Sequence, residues 1–188
     1  IKMADHLAET AQQILPDEII QVVAYGCTSG TIGIGEKRIK DEIQKSKKDT
    51  QITTPITAAV KAFNLSKFKK IAVLTPYPKE VNRKVYNYLL NQGLDIMSFN
   101  SFNLNYDSEI AKVTKKSLIE TISSINLKNV DCLFVSCTAL KIVDLIDDLE
   151  KELNINLISS NQAIIWDSLR LSKINQKING FGRLFKSI

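Results

Sequence analysis

Two stretches of this chain carry nearly the same pattern. IIQVVAYGCTSG (19–30) and NVDCLFVSCTAL (129–140) are each an apolar, β-branched run that ends in Cys-Thr and leads into a helical pattern. Downstream of the first comes TQITTPITAAVKAF, and downstream of the second comes INLISSNQAIIWDSL. Each of these is a strand pattern ending in paired hydroxyl residues, followed by an apolar helix. Cys27 and Cys137 are therefore corresponding positions, 110 residues apart. A repeat of this kind constrains the chain to an α/β fold built from two similar halves.

The periodicity predicts helices near 2–15, 29–46, 56–63, 79–92, 109–125, 139–152 and 161–174. Strands are expected at 19–25, 51–54, 71–75, 95–99, 130–136 and 156–159. The expected architecture is two parallel-sheet α/β halves related by a pseudo-twofold axis, with the active site in the cleft between them. Residues 1–66 form the first half, 67–164 the second, and 165–188 a C-terminal helix and tail that packs back on the first. In the second half 66 residues separate Ile71 from Cys137, whereas only 26 precede Cys27. Symmetry thus predicts that the first half is incomplete at its N-terminus by a strand, a helix and a strand, about 40 residues at usual element lengths. The chain opens inside a helical pattern, with Met3, Leu7, Ala11 and Ile14-Leu15 on one face.

Ligands of open α/β sheets bind at the C-terminal ends of the strands, and both Cys-Thr turns stand at such ends. The glycine-rich stretch YGCTSGTIGIG invites a nucleotide reading, which its details oppose. Gly30 and Gly35 have the spacing of a phosphate-binding loop, but Glu36 stands where the lysine belongs and Lys37 where the Ser/Thr belongs. Gly30, Gly33 and Gly35 do not make a dinucleotide fingerprint either. A reactive thiol fits better: Cys27 would sit at the start of a helix whose free N–H groups and dipole favour an anion. Cys132, in the middle of a strand, is assigned to the core, and Trp166 to the core or an interface rather than to substrate stacking.

The totals narrow the chemistry further. A formal charge of +5 comes partly from clusters such as Lys45-Ser46-Lys47-Lys48 and Lys67-Phe68-Lys69-Lys70. These read as a solvated surface that attracts anions, without the aromatic interleaving of a nucleic-acid site. No apolar run approaches the roughly 20 residues that cross a bilayer, and no signal segment is present, so a cytoplasmic protein with no membrane partner is expected. Three cysteines without framework spacing predict free thiols. A single histidine, His6, and the lack of paired ligand spacings predict no metal site. Asp144, Asp147 and Asp148 read as a solvated helix face.

YGCTSGT, ITTPITAAVKA, AVLTPYPKEVNRKV, LFVSCTAL, SSNQAIIWDSLRL and GFGRLF together resemble the cofactor-independent Asp/Glu racemase superfamily. Within it they look most like the branch of maleate cis-trans isomerases, arylmalonate decarboxylases and ectoine-utilisation proteins. The resemblance covers nearly the whole chain and implies roles at matching positions. Cys27 matches the cysteine that adds to the alkene carbon, and Cys137 the one that handles the proton on the neighbouring carbon. Thr75-Pro76-Tyr77 matches a turn whose tyrosine helps bind a carboxylate. An asparagine contact about thirty residues further on falls near Asn105 and Asp107, and Asn105 is the candidate. An aspartate there would repel a dicarboxylate.

Thr28, Ser29 and Thr138, in the two turns, complete the expected substrate-binding set with two residues at helix starts. Those are Thr54 beside Pro55, and Asn161, whose neighbours Ser159 and Ser160 could donate to a carboxylate as well; all could instead serve as helix caps. The resemblance implies a cofactor-free isomerase converting maleate to fumarate with two cysteines. Alternatives are an Asp/Glu-type racemase using the same thiols, an arylmalonate-type decarboxylase, or a non-catalytic anion-binding protein. Paired domains of this type commonly form homodimers, so a second copy of the chain joins the small substrate as an expected partner.

Overall fold

The computed structural model describes residues 2–16 and 18–186. Its α-helices are α1 (Leu7–Gln12), α2 (Thr28–Ile34), α3 (Glu36–Gln44), α4 (Pro55–Leu65), α5 (Lys79–Asn91), α6 (Asp107–Ile110), α7 (Lys115–Ser124), α8 (Ile146–Glu152) and α9 (Ser160–Leu171). The strands are β1 (Val22–Ala24), β2 (Gln51–Thr53), β3 (Lys70–Thr75), β4 (Asp95–Ser101), β5 (Cys132–Val135) and β6 (Asn156–Ser159). Short 3-10 turns occupy Lys2–His6, Val143–Leu145 and Arg183–Lys186.

All strand pairings are parallel. One sheet is β1 beside β2, and the other has the order β4-β3-β5-β6. The inner strands β3 and β5 are covered on both faces, which is why they read as continuous apolar runs rather than alternating ones. Ile71–Leu74 and Cys132–Val135 are all fully buried. Phe63 of α4 meets Phe134 of β5 edge-on, with ring centroids 5.6 Å apart. The principal core therefore crosses the expected boundary at residue 66, since α4 buries Ile56, Ala58, Ala59, Ala62 and Phe63 in it. A second, small core gathers Ala11, Val23, Ile39 and Ile43 around β1. Helix α9 bridges the two: Thr53 of β2 and Lys61 of α4 both donate to the buried carboxylate of Asp167, at 2.6 and 2.7 Å.

Several expected elements are broken or shorter. The helix expected over 29–46 is interrupted at Gly35, whose φ of +93° suits glycine and ends α2. The one expected over 109–125 divides into α6 and α7, with Thr114 capping the second through Ser117 N–H at 3.1 Å. No helix follows Cys137 directly. Leu140 and Ile142 are buried as irregular chain, and α8 begins only at Ile146, with Asp147 and Asp148 in its first turn. The N-terminal helix is short, and its expected apolar face is largely open: Met3, Ile14 and Leu15 are exposed, Leu7 is half-buried and Ala11 buried. Cys132 and Trp166 lie in the core as read, and Asp144 and Asp148 pair at the surface with Lys115 and Lys151.

Candidate active site

The segments following β1, β3, β5 and β6 supply the groups that gather at the C-terminal ends of the strands. After β1 the chain turns through Tyr25 and Gly26, and Cys27 becomes the N-cap of α2. Its Sγ accepts Gly30 N–H at 3.2 Å and lies 3.8 Å from Ser29 Oγ, while its carbonyl accepts the Thr31 hydroxyl at 2.7 Å. A thiolate at this place meets N–H and O–H donors. The amides of Thr28 and Ser29, in the first turn, have no intrahelical carbonyl to bond and face outward from the helix end. Cys27 is half-buried. Tyr25 packs its hydroxyl against the same sulfur, and burial followed by the charge of a Cys27 thiolate pushes the phenol pKa up.

Cys137 occupies a different environment. It is 7% exposed, and its backbone takes φ +106°, a conformation that costs a non-glycine residue about 1–3 kcal/mol. That conformation is the physical reason no helix starts here. Burial pushes the Cys137 thiol up; Ala139 N–H, 3.4 Å from its sulfur, and the Tyr77 hydroxyl oppose the shift, while Asp107 and Cys27 reinforce it. Tyr77 itself is nearly buried, and burial, then the nearby Cys137 thiol, raise its pKa strongly. The tyrosine is held from behind: its carbonyl accepts Asn82 Nδ2 at 2.6 Å and Ser101 Oγ at 2.7 Å. Thr75 in turn donates to Asn82 Oδ1. Ser136, wholly buried next to Cys137, faces the Tyr77 hydroxyl without completing a hydrogen bond of normal geometry.

The two turns are joined to each other by hydroxyl groups. Thr138 Oγ1 donates to the Gly26 carbonyl at 2.9 Å. Thr28 Oγ1 and Ser160 Oγ are 3.0 Å apart, and the same Ser160 oxygen accepts Cys137 N–H at 3.0 Å. Asn161 Nδ2 donates to the Thr138 carbonyl at 2.9 Å. The side chains of Thr28, Thr138 and Asn161 thus engage protein groups, and Thr28 is buried. Ser29 stays beside the Cys27 sulfur.

Thr54 is fully buried and caps α4, with its oxygen 2.8 Å from Thr57 Oγ1; none of its bonds reaches a thiol. Asn105 is exposed, and its backbone N–H bonds Glu109 at 3.1 Å. Its neighbour Asp107 is the residue whose charge acts on Cys137. The sequence pattern marks Ser160 as a helix-start hydroxyl beside Asn161, and it gives Tyr25 and Ser136 no role. Alignment of the repeat offered one signal: Ser136 stands before Cys137 as Gly26 stands before Cys27.

Surface clefts lie elsewhere. One of about 390 Å³ is framed by Pro16, Ile19, Lys47 and Thr50, and another of about 420 Å³ by Arg83, Tyr86 and Phe99. Neither contains a cysteine. Among the described residues no three His, Cys, Asp or Glu side chains converge as a metal site, and no helix is long and apolar enough to cross a membrane.

Comparison with known proteins places this geometry in context. The sequence model of the arylmalonate decarboxylase family matches residues 3–185. A maleate isomerase from Alcaligenes faecalis is 20% identical over 196 aligned positions, covering 100% of this chain and 78% of that protein. The arylmalonate decarboxylase of Bordetella bronchiseptica is 26% identical over 136 positions, 71% of this chain and 57% of its own length. The solved structure of the Nocardia farcinica maleate cis-trans isomerase bound to TRIS superposes with a TM-score of 0.88 at 20% identity, over 99% of this chain and 77% of that one. A cysteine-to-serine mutant of the same isomerase, with a covalently bound succinylcysteine intermediate, also has a TM-score of 0.88 at 19% identity, over 100% of this chain and 78% of that one. The α/β fold with parallel sheets is therefore shared with these proteins.

Proposed function

The chain belongs to the arylmalonate decarboxylase family, and from that membership we propose that it is a cofactor-independent isomerase converting a small cis-dicarboxylate to its trans isomer, with maleate to fumarate as the reaction. The observation that carries the reading is the unlike environment of two thiols on adjoining turns. Cys27 is half-exposed, with N–H and O–H groups around its sulfur. Cys137 is buried and kept in its protonated form by that burial. One sulfur is arranged to attack and the other to give and take a proton.

In this mechanism the Cys27 thiolate adds to one alkene carbon, forming a C–S bond as the π pair moves to the neighbouring carbon and its carboxylate. Cys137 delivers its proton to that carbon, leaving a succinyl thioether and a Cys137 thiolate. The former double bond is now single and rotates. Cys137 then removes the proton, the C=C bond re-forms in the trans arrangement, and the Cys27 thiolate leaves. Nothing is oxidised or reduced. The amides of Thr28 and Ser29 and the hydroxyls of Ser29 and Tyr77 would hold the carboxylates and the charge that develops on them. The succinylcysteine intermediate of the Nocardia relative supports this order of events.

One observation favours a second reading. The Asp107 carboxylate acts on Cys137, and a negative group there suits a substrate ammonium better than a second carboxylate. An Asp/Glu-type racemase would use the same two thiols on opposite faces of the α-carbon. Proton NMR in D₂O separates the readings, using maleate and each enantiomer of aspartate and glutamate with the parent chain, Cys27→Ser and Cys137→Ser. The isomerase reading expects fumarate from the parent and from neither variant. Deuterium entering an amino-acid α-position without fumarate would replace it with the racemase.

A further inference from the structure

Ser160 is the first residue of α9, yet α9 does not use its hydroxyl. The cap is supplied by Ser159, whose oxygen accepts Gln162 N–H at 3.1 Å while the Gln162 side chain bonds back to Ser159 N–H at 3.4 Å. Ser160 Oγ is wholly buried and reaches away from its helix to two groups distant in sequence. It accepts the backbone N–H of Cys137 at 3.0 Å and shares a hydrogen bond of 3.0 Å with the hydroxyl of Thr28, the residue that follows Cys27. One oxygen atom thus touches both cysteine turns.

Cys137 needs such a restraint. Its φ of +106° is a region that side-chain-bearing residues rarely hold unless their surroundings fix them. The peptide on its N-terminal side carries the N–H that Ser160 receives, so the bond acts on the rotation that sets φ. A hydroxyl has one proton and can accept two. Ser160 accepts from Cys137 and has its proton available to Thr28, whose own hydroxyl faces Tyr77. The chain of groups runs from the Cys137 amide through Ser160 and Thr28 to the tyrosine at the Cys137 sulfur.

We propose that Ser160 is a positioning residue for the thiol pair: its oxygen pins the Cys137 turn in its left-handed conformation and ties it to Thr28, fixing where the second thiol lies relative to the first. The assignment rests on Cys27 and Cys137 being the reacting pair.

The test uses Ser160→Ala and Thr28→Val, with Thr114→Ala as control; Thr114 caps the exposed end of α7 and should lower stability without touching the site. Labelling of Cys137 by iodoacetamide is followed peptide by peptide by mass spectrometry, beside kcat and KM for maleate. Ser160→Ala should speed Cys137 labelling about tenfold or more, because the freed turn samples open conformations. It should also lower kcat by about tenfold or more with KM changed far less. Thr28→Val should move both readouts in the same direction. The double variant should be no worse than Ser160→Ala, since the two hydroxyls act as one unit.

Parent-like labelling in both single variants overturns the proposal, and so does equal acceleration in Thr114→Ala. Accelerated labelling in Ser160→Ala alone, from a parent that does not turn over maleate, would support the pin while removing the isomerase reading. If Ser160→Ala does not fold, Thr28→Val decides by the same criteria.

Discussion

Replacing Gly30 by alanine separates the thiol's placement from the stability of the fold. By helix propensity alone Ala is favoured over Gly by about 0.8–1 kcal/mol, and Gly30 lies within α2 without a positive φ. Space opposes the change. A Cβ built there would lie 2.5 Å from the Tyr25 hydroxyl, 2.9 Å from Cys27 Sγ and 3.2 Å from Cys27 Cβ. The tyrosine can give way, since its hydroxyl is the far end of a long side chain and makes no hydrogen bond of normal geometry. The sulfur cannot do so freely. Comfortable carbon contacts begin near 3.5 Å, so Sγ must retreat by roughly 0.6 Å or more, away from the Gly30 N–H it accepts at 3.2 Å.

Overpacking typically costs about 1–3 kcal/mol, which the propensity gain partly offsets. The net loss of stability for Gly30→Ala should therefore be about 0–2 kcal/mol. A reacting atom displaced by about 1 Å can lower the rate by about 100-fold, so a retreat of this size should cost up to that factor, equivalent to about 2.7 kcal/mol in the barrier. Chemical denaturation paired with kcat for maleate gives both numbers. A small change in unfolding midpoint with a large fall in kcat is expected. A variant that is more stable and fully active would refute the packing of Gly30 against the sulfur as a condition of activity.

Other perturbations probe the same arrangement. Asp107 holds the Cys137 pKa up, after burial, so Asp107→Asn should lower it and move the alkaline limb of the kcat profile to lower pH; an unmoved limb would mean that Cys137 is not the titrating acid. Tyr77→Phe removes a hydroxyl that opposes the upward shift of Cys137, so that limb should move to higher pH, and kcat/KM should fall by about 10–100-fold as a carboxylate donor is lost. The raised Cys137 pKa makes the folded state bind its proton more tightly than the unfolded chain. Stability from this group is therefore full below the ordinary cysteine value of about 8.5 and lost as pH rises past it, and Cys137→Ser should flatten that alkaline decline in thermal melts. Asp167→Ala leaves Thr53 and Lys61 without their shared buried acceptor and should destabilise the fold by about 2–4 kcal/mol, read by urea denaturation.

The sequence made the central strands plain because β3, β5 and β6 are short apolar runs bounded by turn residues, and α5 because its apolar residues recur at helical spacing. Features set by contact across the fold were hidden. Nothing in Cys137-Thr138-Ala139-Leu140 forbids a helix locally. The left-handed backbone of Cys137 is fixed by a hydrogen bond from its N–H to the Ser160 hydroxyl, 23 residues on, and by burial of Leu140 and Ile142. The Cys-Thr motif marked the thiols, but its hydroxyl residues were legible only as polar groups near a cleft. That Thr28 bonds Ser160 at the start of α9 and Thr138 bonds Gly26 of the first turn, with partners 132 and 112 positions away, depends on how the two sheets meet. Thr54 shows the limit from the other side, since a cap and a ligand donor look alike in sequence.

Division of labour between the thiols is the claim on which the proposed chemistry depends, and intact-protein and peptide mass spectrometry after incubation with maleate tests it most directly. In Cys137→Ser, where solvent supplies the proton that Cys137 would have delivered, a mass increase of one maleate is expected on Cys27 as the trapped thioether, and Cys27→Ser should carry none. An adduct on residue 137 in place of Cys27, or fumarate formed by Cys27→Ser at the parent rate, would contradict the account.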